Sequence, residues 1–277
     1  MKTSSARAIS VTVALILSVA TSQLHAQDPG KSYTKVLLPI VLREPLPGLQ
    51  GSMWTTELTL LNTSILSASV YPFFVNGPFC NECGSPLVPP NSTLSPMVPS
   101  AAPPLRGTFL YIDRDRLRDI QLSLRVRDVS RMSDSWGTSL PIVREERFSD
   151  ALSIIDIPVT ADFRQTLRIY GLDPADSTLV RVRLYGRNEN PTDPTQARQD
   201  EKLGEITLAL MTDPSPNKIF PPFVEIQSLA GIAPLGSYKR VRVDVTSLGI
   251  AKKVWAFVSV TANSTQHVTI LEPRPGL

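Results

Sequence analysis

The block Trp54-Thr-Thr-Glu-Leu58-Thr-Leu60-Leu-Asn62 has a counterpart 109 positions further on (Trp54 to Phe163), in Phe163-Arg-Gln-Thr-Leu167-Arg-Ile169-Tyr-Gly171. An aromatic, two apolar residues at the same offsets and a turn former recur in order. Each block runs into a second alternating strand, around Val70 and around Val180. A repeat at this distance predicts two copies of one module, each large enough to bury a core of its own.

Period-two alternation bounded by turn residues marks the strands. In the first copy these are Val36 to Leu42, Leu58 to Leu60, Ala68 to Val75, Gly107 to Ile112 and Ile120 to Val126. In the second they are Ile154 to Val159, Thr166 to Tyr170, Leu179 to Tyr185, Glu205 to Met211, Lys239 to Val245 and Val254 to Val260, with turns at Asp173-Pro174, Asn190-Pro191 and Asp213-Pro214. Pro39 places the opening strand at a sheet edge, where no ladder donor is needed. Short strands at this spacing favour a sandwich, with a barrel as the alternative. A helical turn at Arg114 to Leu124 is compatible with its charge and too short to change the class.

Lys2 and Arg7 precede the uncharged run Ala8 to Leu24, which ends in Leu24-His25-Ala26. This is the order of an export signal, with cleavage after Ala26. The polar residues Ser10, Thr12, Ser18, Thr21 and Ser22 interrupt the run. It therefore falls short of the roughly 20 strongly apolar residues of a spanning helix. A retained anchor is the competing reading. No cysteine stands beside the cleavage point to accept a lipid.

Removal of residues 1–26 takes two of the 28 basic residues and none of the 25 acidic ones, leaving a net charge near +1. Such a balance gives no general attraction to nucleic acid or to an anionic membrane.

Seven prolines between Ser85 and Pro104 suggest either an interdomain linker or an extended crossing within the first copy. The repeat favours the crossing, because the strands from Gly107 to Val126 are needed to complete the first module. The boundary then falls near Arg144 to Asp150, where Arg144-Glu145-Glu146-Arg147 breaks the apolar pattern.

The run carried by Trp54 through Asn62, the Pro89 to Ser92 turn, the strand begun by Gly107 and the strand bearing Arg125 resemble immunoglobulin-like modules of secreted bacterial proteins. The second copy keeps part of the pattern, with Phe163 in place of the tryptophan and Gly171 in place of the asparagine. The resemblance implies an all-β chain of two tandem immunoglobulin-like β-sandwich domains, at 31–147 and 148–277. It carries no activity and no functional residue.

Cys80-Asn-Glu-Cys83 holds both cysteines of the chain. In an exported protein this pair predicts a disulfide closing a tight loop. A redox site would need the first thiol at a helix N-terminus, and the Gly-Pro-Phe and Gly-Ser-Pro flanks do not start a helix. Zinc would need two more ligands, and after cleavage His267 is the single histidine. No metal and no cofactor is expected. His267, in Thr265-Gln266-His267-Val268-Thr269, reads as a solvent-facing strand residue. No Gly-x-Ser-x-Gly elbow or phosphate loop is present. Asp113, Asp115, Asp119 and Asp128 alternate with Arg114, Arg116, Arg118 and Arg127, a pattern of solvated ion pairs. A two-carboxylate glycan hydrolase stays open, since its acids can come from anywhere in a fold.

Arg125 and Arg127, Arg181 and Arg183, and Arg240 and Arg242 alternate with apolar residues and form ridges on outer sheet faces. They either grip acidic polysaccharide or keep the faces wet. Trp54 and Trp255 read as core, and Trp136, in a polar loop, either packs against a neighbouring domain, the favoured reading, or is a contact residue. The Asn-x-Ser/Thr sequences at Asn62, Asn91 and Asn263 are glycan acceptors only in a eukaryotic secretory route.

The expected function is that of a secreted, non-catalytic structural or interaction protein, with an extracellular or envelope protein or a polysaccharide as partner. A periplasmic two-domain assembly chaperone is the alternative, ahead of the hydrolase. Mass spectrometry of native protein is expected to find Cys80 and Cys83 oxidised; recovery of both as free thiols overturns the disulfide.

Overall fold

A computed structural model describes residues 32–42, 44–71, 87–96, 106–130, 137–174, 177–186, 200–212 and 219–275. Within these, regular structure is all β, broken only by three-residue 3-10 turns such as Arg114–Arg116 and Glu145–Arg147. The strands of the first half are β1 (Tyr33–Leu38), β2 (Leu46–Pro47), β3 (Met53–Asn62), β4 (Ala68–Tyr71), β5 (Leu87–Val88), β6 (Ser92–Leu94), β7 (Thr108–Asp113), β8 (Ile120–Asp128), β9 (Gly137–Leu140) and β10 (Val143–Arg144). Those of the second are β11 (Ala151–Pro158), β12 (Phe163–Gly171), β13 (Leu179–Gly186), β14 (Glu201–Ala209), β15 (Phe223–Ile226), β16 (Arg240–Ser247), β17 (Val254–Ala262), β18 (Val268–Leu271) and β19 (Arg274–Pro275).

Alternation builds them. In β13, Val180, Val182 and Leu184 are fully buried while Arg181, Arg183 and Tyr185 lie on the other face. Four antiparallel sheets result, in the orders β10-β1-β7-β4-β5, β2-β3-β8-β9 with β6 also on β3, β14-β13-β16-β11-β19, and β15-β12-β17-β18. The first two sheets enclose one core around Leu37, Leu60, Phe109 and Leu124. The other two enclose a second around Ile154, Ile169, Val182 and Val258.

Pro39 was expected within an edge strand, yet β1 lies between β10 and β7 and ends at Leu38, one residue before it. The missing N–H therefore costs the ladder nothing. The Arg114 to Leu124 helix reduces to one 3-10 turn, because Ile120 already pairs with Asn62 in β3. The proline-rich stretch does cross between sheets: β5 pairs with β4 and β6 with β3. Between them Asn91 takes a left-handed φ of 47°, and Ser92 Oγ donates to the Pro89 carbonyl at 2.7 Å. Residues 1–26, Cys80, Cys83 and Trp136 lie outside the described residues.

Asn62, the last residue of the opening motif, is fully buried. Its Nδ2 donates to the carbonyls of Leu66, Val88 and Pro89 at 2.9, 3.0 and 3.0 Å, and its Oδ1 accepts from Ser64 N at 3.0 Å. It ties the end of β3 to the loop after it and to the end of β5. Its burial also excludes it as a glycan acceptor in the folded chain. Asn62→Ala leaves these buried groups without a partner, so urea unfolding is expected to show a loss of about 3 kcal/mol; a loss under about 1 kcal/mol overturns the assignment.

Candidate functional site: the cleft between the halves

β17 is buried on both faces. Val254, Ala256, Val258 and Val260 enter the second core, whereas Trp255 and Phe257 point the other way and join the first. On the neighbouring strands Tyr170 and Phe223 do the same. Ring centroids lie 5.1 Å apart for Tyr170 and Phe223 and 5.5 Å for Trp255 and Phe257. Tilted contacts of this kind suit the ring quadrupoles.

The first half stands end-on upon this aromatic face. Tyr170 Oη donates to the Pro39 carbonyl at 2.5 Å, just beyond the end of β1. Phe109 N donates to Ile219 O at 2.7 Å, and buried Arg106 donates to the carbonyls of Pro221 and Met211 at 3.2 and 2.5 Å. Ser149, two residues after the Glu145–Arg147 turn, bridges to Val254 through paired backbone bonds and so holds the connection between the halves against the start of β17. These contacts fix the two halves against each other at one end of the β12/β17 face.

Further along the face the side chains shrink and the halves part. Thr166 and Ser259 are register partners, followed by Thr261 opposite Val268. A cavity of about 250 Å³ opens above them. Its floor is Thr166, Arg168, Ser259, Thr261, Val268 and Ile270. Its roof comes from the first half: Ile40 and Leu42 after β1, Leu46 to Gly48, Trp54 at the start of β3, Val126, and Thr138 and Leu140 of β9. Thr138 Oγ1 donates to Val268 O at 2.9 Å and ties roof to floor. A smaller hollow of about 20 Å³ continues past Trp54 to Asp128, Gln266 and the exposed His267.

The walls are largely aliphatic, and the floor is hydroxylic with one charge. Arg168 is buried beneath it; its Nη1 donates to Ser259 Oγ at 3.0 Å, and its guanidinium lies 5.7 Å from the centre of the Phe257 ring. Nε sits 3.0 Å from Glu225 Oε2, an ion pair set off the N–H axis rather than a linear hydrogen bond. Glu225 lies on β15, on the opposite side of Arg168 from Ser259. Among the described residues, the cavity lining thus contains Arg168 and no carboxylate. A closed void of this volume would cost about 6 kcal/mol on the scale for buried cavities; a half-open one instead leaves apolar wall to water.

Two of the predicted contact residues, Arg125 and Arg127, are not here, and Trp136 lies outside the described residues. Arg125 and Arg127 lie on the outer face of β8, and both close on Glu57, at 2.6 and 2.7 Å. The other ridges are paired in the same way: Arg183 with Glu205 at 2.7 Å and Arg242 with Asp244 at 3.1 Å. The aspartates near Arg114 serve local structure. Asp113 accepts from Asp115 N, Arg114 meets Glu145 at 3.0 Å, and Asp128 Oδ1 accepts from the backbone of Met53 and Ser130. Among the described residues no group of three or more His, Cys, Asp and Glu is placed to hold a metal.

Trp54, read as core, is a half-buried cleft wall whose Nε1 donates to Ser52 Oγ at 3.0 Å. The signal that locates the cleft is the aromatic pair Trp255 and Phe257 on the face of a strand whose other face is already apolar. Compared with known proteins, the chain matches no family model, no curated protein and no solved structure.

Burial pushes the Tyr170 phenol well above its ordinary value, Arg168 opposing and Glu225 adding to the shift. The unfolded phenol ionises near pH 10. The folded state keeps it neutral, so its contribution to stability is complete below pH 10 and is lost as pH rises beyond it. Burial also raises Tyr111, to about 12. Tyr170→Phe is expected to lower stability by about 1–2 kcal/mol at pH 7 and to flatten the decline above pH 10. An unchanged alkaline slope in urea titrations contradicts this.

Proposed function

We propose that this is a secreted, non-catalytic interaction protein built from two tandem immunoglobulin-like sandwiches, and that its binding surface is the cleft between them. The strand orders support the duplication. If β11 to β19 are read in place of β1 and β3 to β10, the order β10-β1-β7-β4-β5 becomes β19-β11-β16-β13-β14, and β6-β3-β8-β9 becomes β15-β12-β17-β18. The likeness to immunoglobulin domains lies in the two-sheet construction and size. The strand order is its own, since β1 joins β7 rather than β3, where the first two strands of an immunoglobulin domain pair.

The observation that carries the reading is the cleft itself, whose roof and floor come from different halves locked by buried polar contacts. A concave, mostly apolar site with a few convergent polar groups is what ligand recognition uses. The arginine ridges are less suited, standing partly exposed on outer sheet faces with equally exposed carboxylates such as Glu57 and Glu205 beside them. A partner in an extracellular or envelope setting fits the export signal.

The assembly-chaperone reading is favoured by one feature, the nine-residue edge strand β14, which pairs only with β13 among the described residues. An edge of this kind can accept a partner strand.

Photo-crosslinkers at Leu140 and Val268, in native host extracts, are expected to capture a partner, while one at Thr207 on β14 stays silent. Capture of a small β-subunit from Thr207 alone shifts the assignment to the chaperone.

A further inference from the structure

We propose that the cleft binds a compact amphipathic carboxylate of about ten non-hydrogen atoms, of the class of a medium-chain fatty acid. This deepens the reading of the cleft as the binding surface and rests on it.

Size comes first. A dry apolar cavity of about 150 Å³ takes up benzene, six non-hydrogen atoms. The 250 Å³ here scales to about ten. Shape and chemistry then divide the volume. Ile40, Leu42, Leu46 and Leu140 present only hydrocarbon from the roof, and Trp54 adds a half-buried ring. That ring is held by its Nε1 bond to Ser52 Oγ at 3.0 Å, and a Cβ on Gly48 would come within 2.6 Å of Nε1 and 2.3 Å of Ser52 Oγ, so a larger residue there would displace it. Few of these groups can hold water, which needs two to four polar partners.

The opposite side gives the ligand its polar end. Thr166, Ser259 and Thr261 line the floor, and Arg168 is the one charged residue of the lining among the described residues; Ser259 Oγ accepts from Arg168 and donates to Thr166 O, which leaves the two threonine hydroxyls for a ligand. The burial of Arg168 and its anchoring to Glu225 and Ser259 hold the guanidinium in place before a ligand arrives. An anionic head gains charge-assisted hydrogen bonds from hydroxyl donors and from the guanidinium, whose acid partner Glu225 lies on β15, on the side away from Ser259, whereas no carboxylate among the described lining residues offers an ammonium head a partner. A sugar would leave most of its hydroxyls against aliphatic wall, at the cost of their desolvation.

Calorimetric titration of the purified full chain with octanoate, 1-octanol and octylammonium tests this. Octanoate is expected to bind with Kd of about 10–100 µM and the cation at least tenfold more weakly. Val268→Phe, which fills the floor, is expected to weaken octanoate at least tenfold, with Thr261→Phe as a second filling variant should the first not fold. Thr166→Val, which removes a hydroxyl at constant shape, is expected to weaken octanoate several-fold and leave the melting temperature within a few degrees. Equal or tighter binding of 1-octanol or octylammonium overturns the carboxylate while keeping the cleft as a ligand site. Octanoate binding unmoved by both filling variants overturns the site. Binding of none of the probes, with crosslinks still formed from Leu140 and Val268, overturns the ligand but not the binding surface; loss of both overturns the functional reading as well.

Discussion

The two-sided burial of β12 and β17 is the constraint on which the rest of the molecule depends. A strand whose two faces are both apolar cannot be the outside of a free-standing sandwich. Val254, Ala256, Val258 and Val260 complete the second core, but Trp255 and Phe257 have to be covered by something else. The end of the first half is that cover, with the Pro39 and Ile219 carbonyls accepting from Tyr170 and from Phe109 at the seam. Three large rings fully withdrawn from water make this junction comparable in chemistry to the cores on either side of it. The halves are therefore coupled by the same force that folds each one, and neither is a bead on a flexible thread.

The cleft is a geometric consequence of that docking. An end of a sandwich is narrower than a sheet face, so it cannot cover the whole of β15-β12-β17-β18. Where the cover is tight the floor carries Tyr170, Trp255 and Phe257; where it lifts away, the floor carries Thr166, Ser259 and Thr261. The change from ring to hydroxyl along one face follows the change from dry to accessible. Arg168 stands at the transition, its ring contact on the dry side and its Ser259 bond on the wet side.

Strand positions were legible because burial on one face imposes a period of two, and residues such as Val180, Val182 and Leu184 obey it without exception. What lay beyond the pattern was which outer faces stay wet. Arg125 and Arg127 looked like a ligand ridge because a sequence does not show that Glu57, 68 and 70 positions earlier, stands opposite on β3. Pro39 reads as an edge signal only if the strand runs on to Leu42; β1 ends at Leu38, and the proline marks that end. The cleft residues come from seven separate segments, and no local pattern brings Leu46 beside Ile270. Asn62 was recognised as a turn former, while its three donated bonds depend on carbonyls 4, 26 and 27 positions away.

Equivalent positions in the two halves show how the docking is written into the chain. The pairs Leu61 with Gln121, Thr59 with Ser123 and Glu57 with Arg125 occupy the outer face of β3 and β8. At the same places on β12 and β17 stand Tyr170 with Trp255, Arg168 with Phe257 and Thr166 with Ser259. One face is polar and ion-paired, the other aromatic, although the strand order beneath them is the same. A face covered by another sandwich gains from rings, whose burial contributes far more than a surface ion pair. A face left to water gains from Glu57 and its two arginines, which keep the sheet soluble and discourage further stacking. A third sandwich docked on β3 and β8 in this manner would have to bury Gln121, Ser123 and a carboxylate held by two guanidiniums. The polar composition of that face therefore directs docking to β12 and β17, and it makes the cleft a feature of one junction rather than of each half.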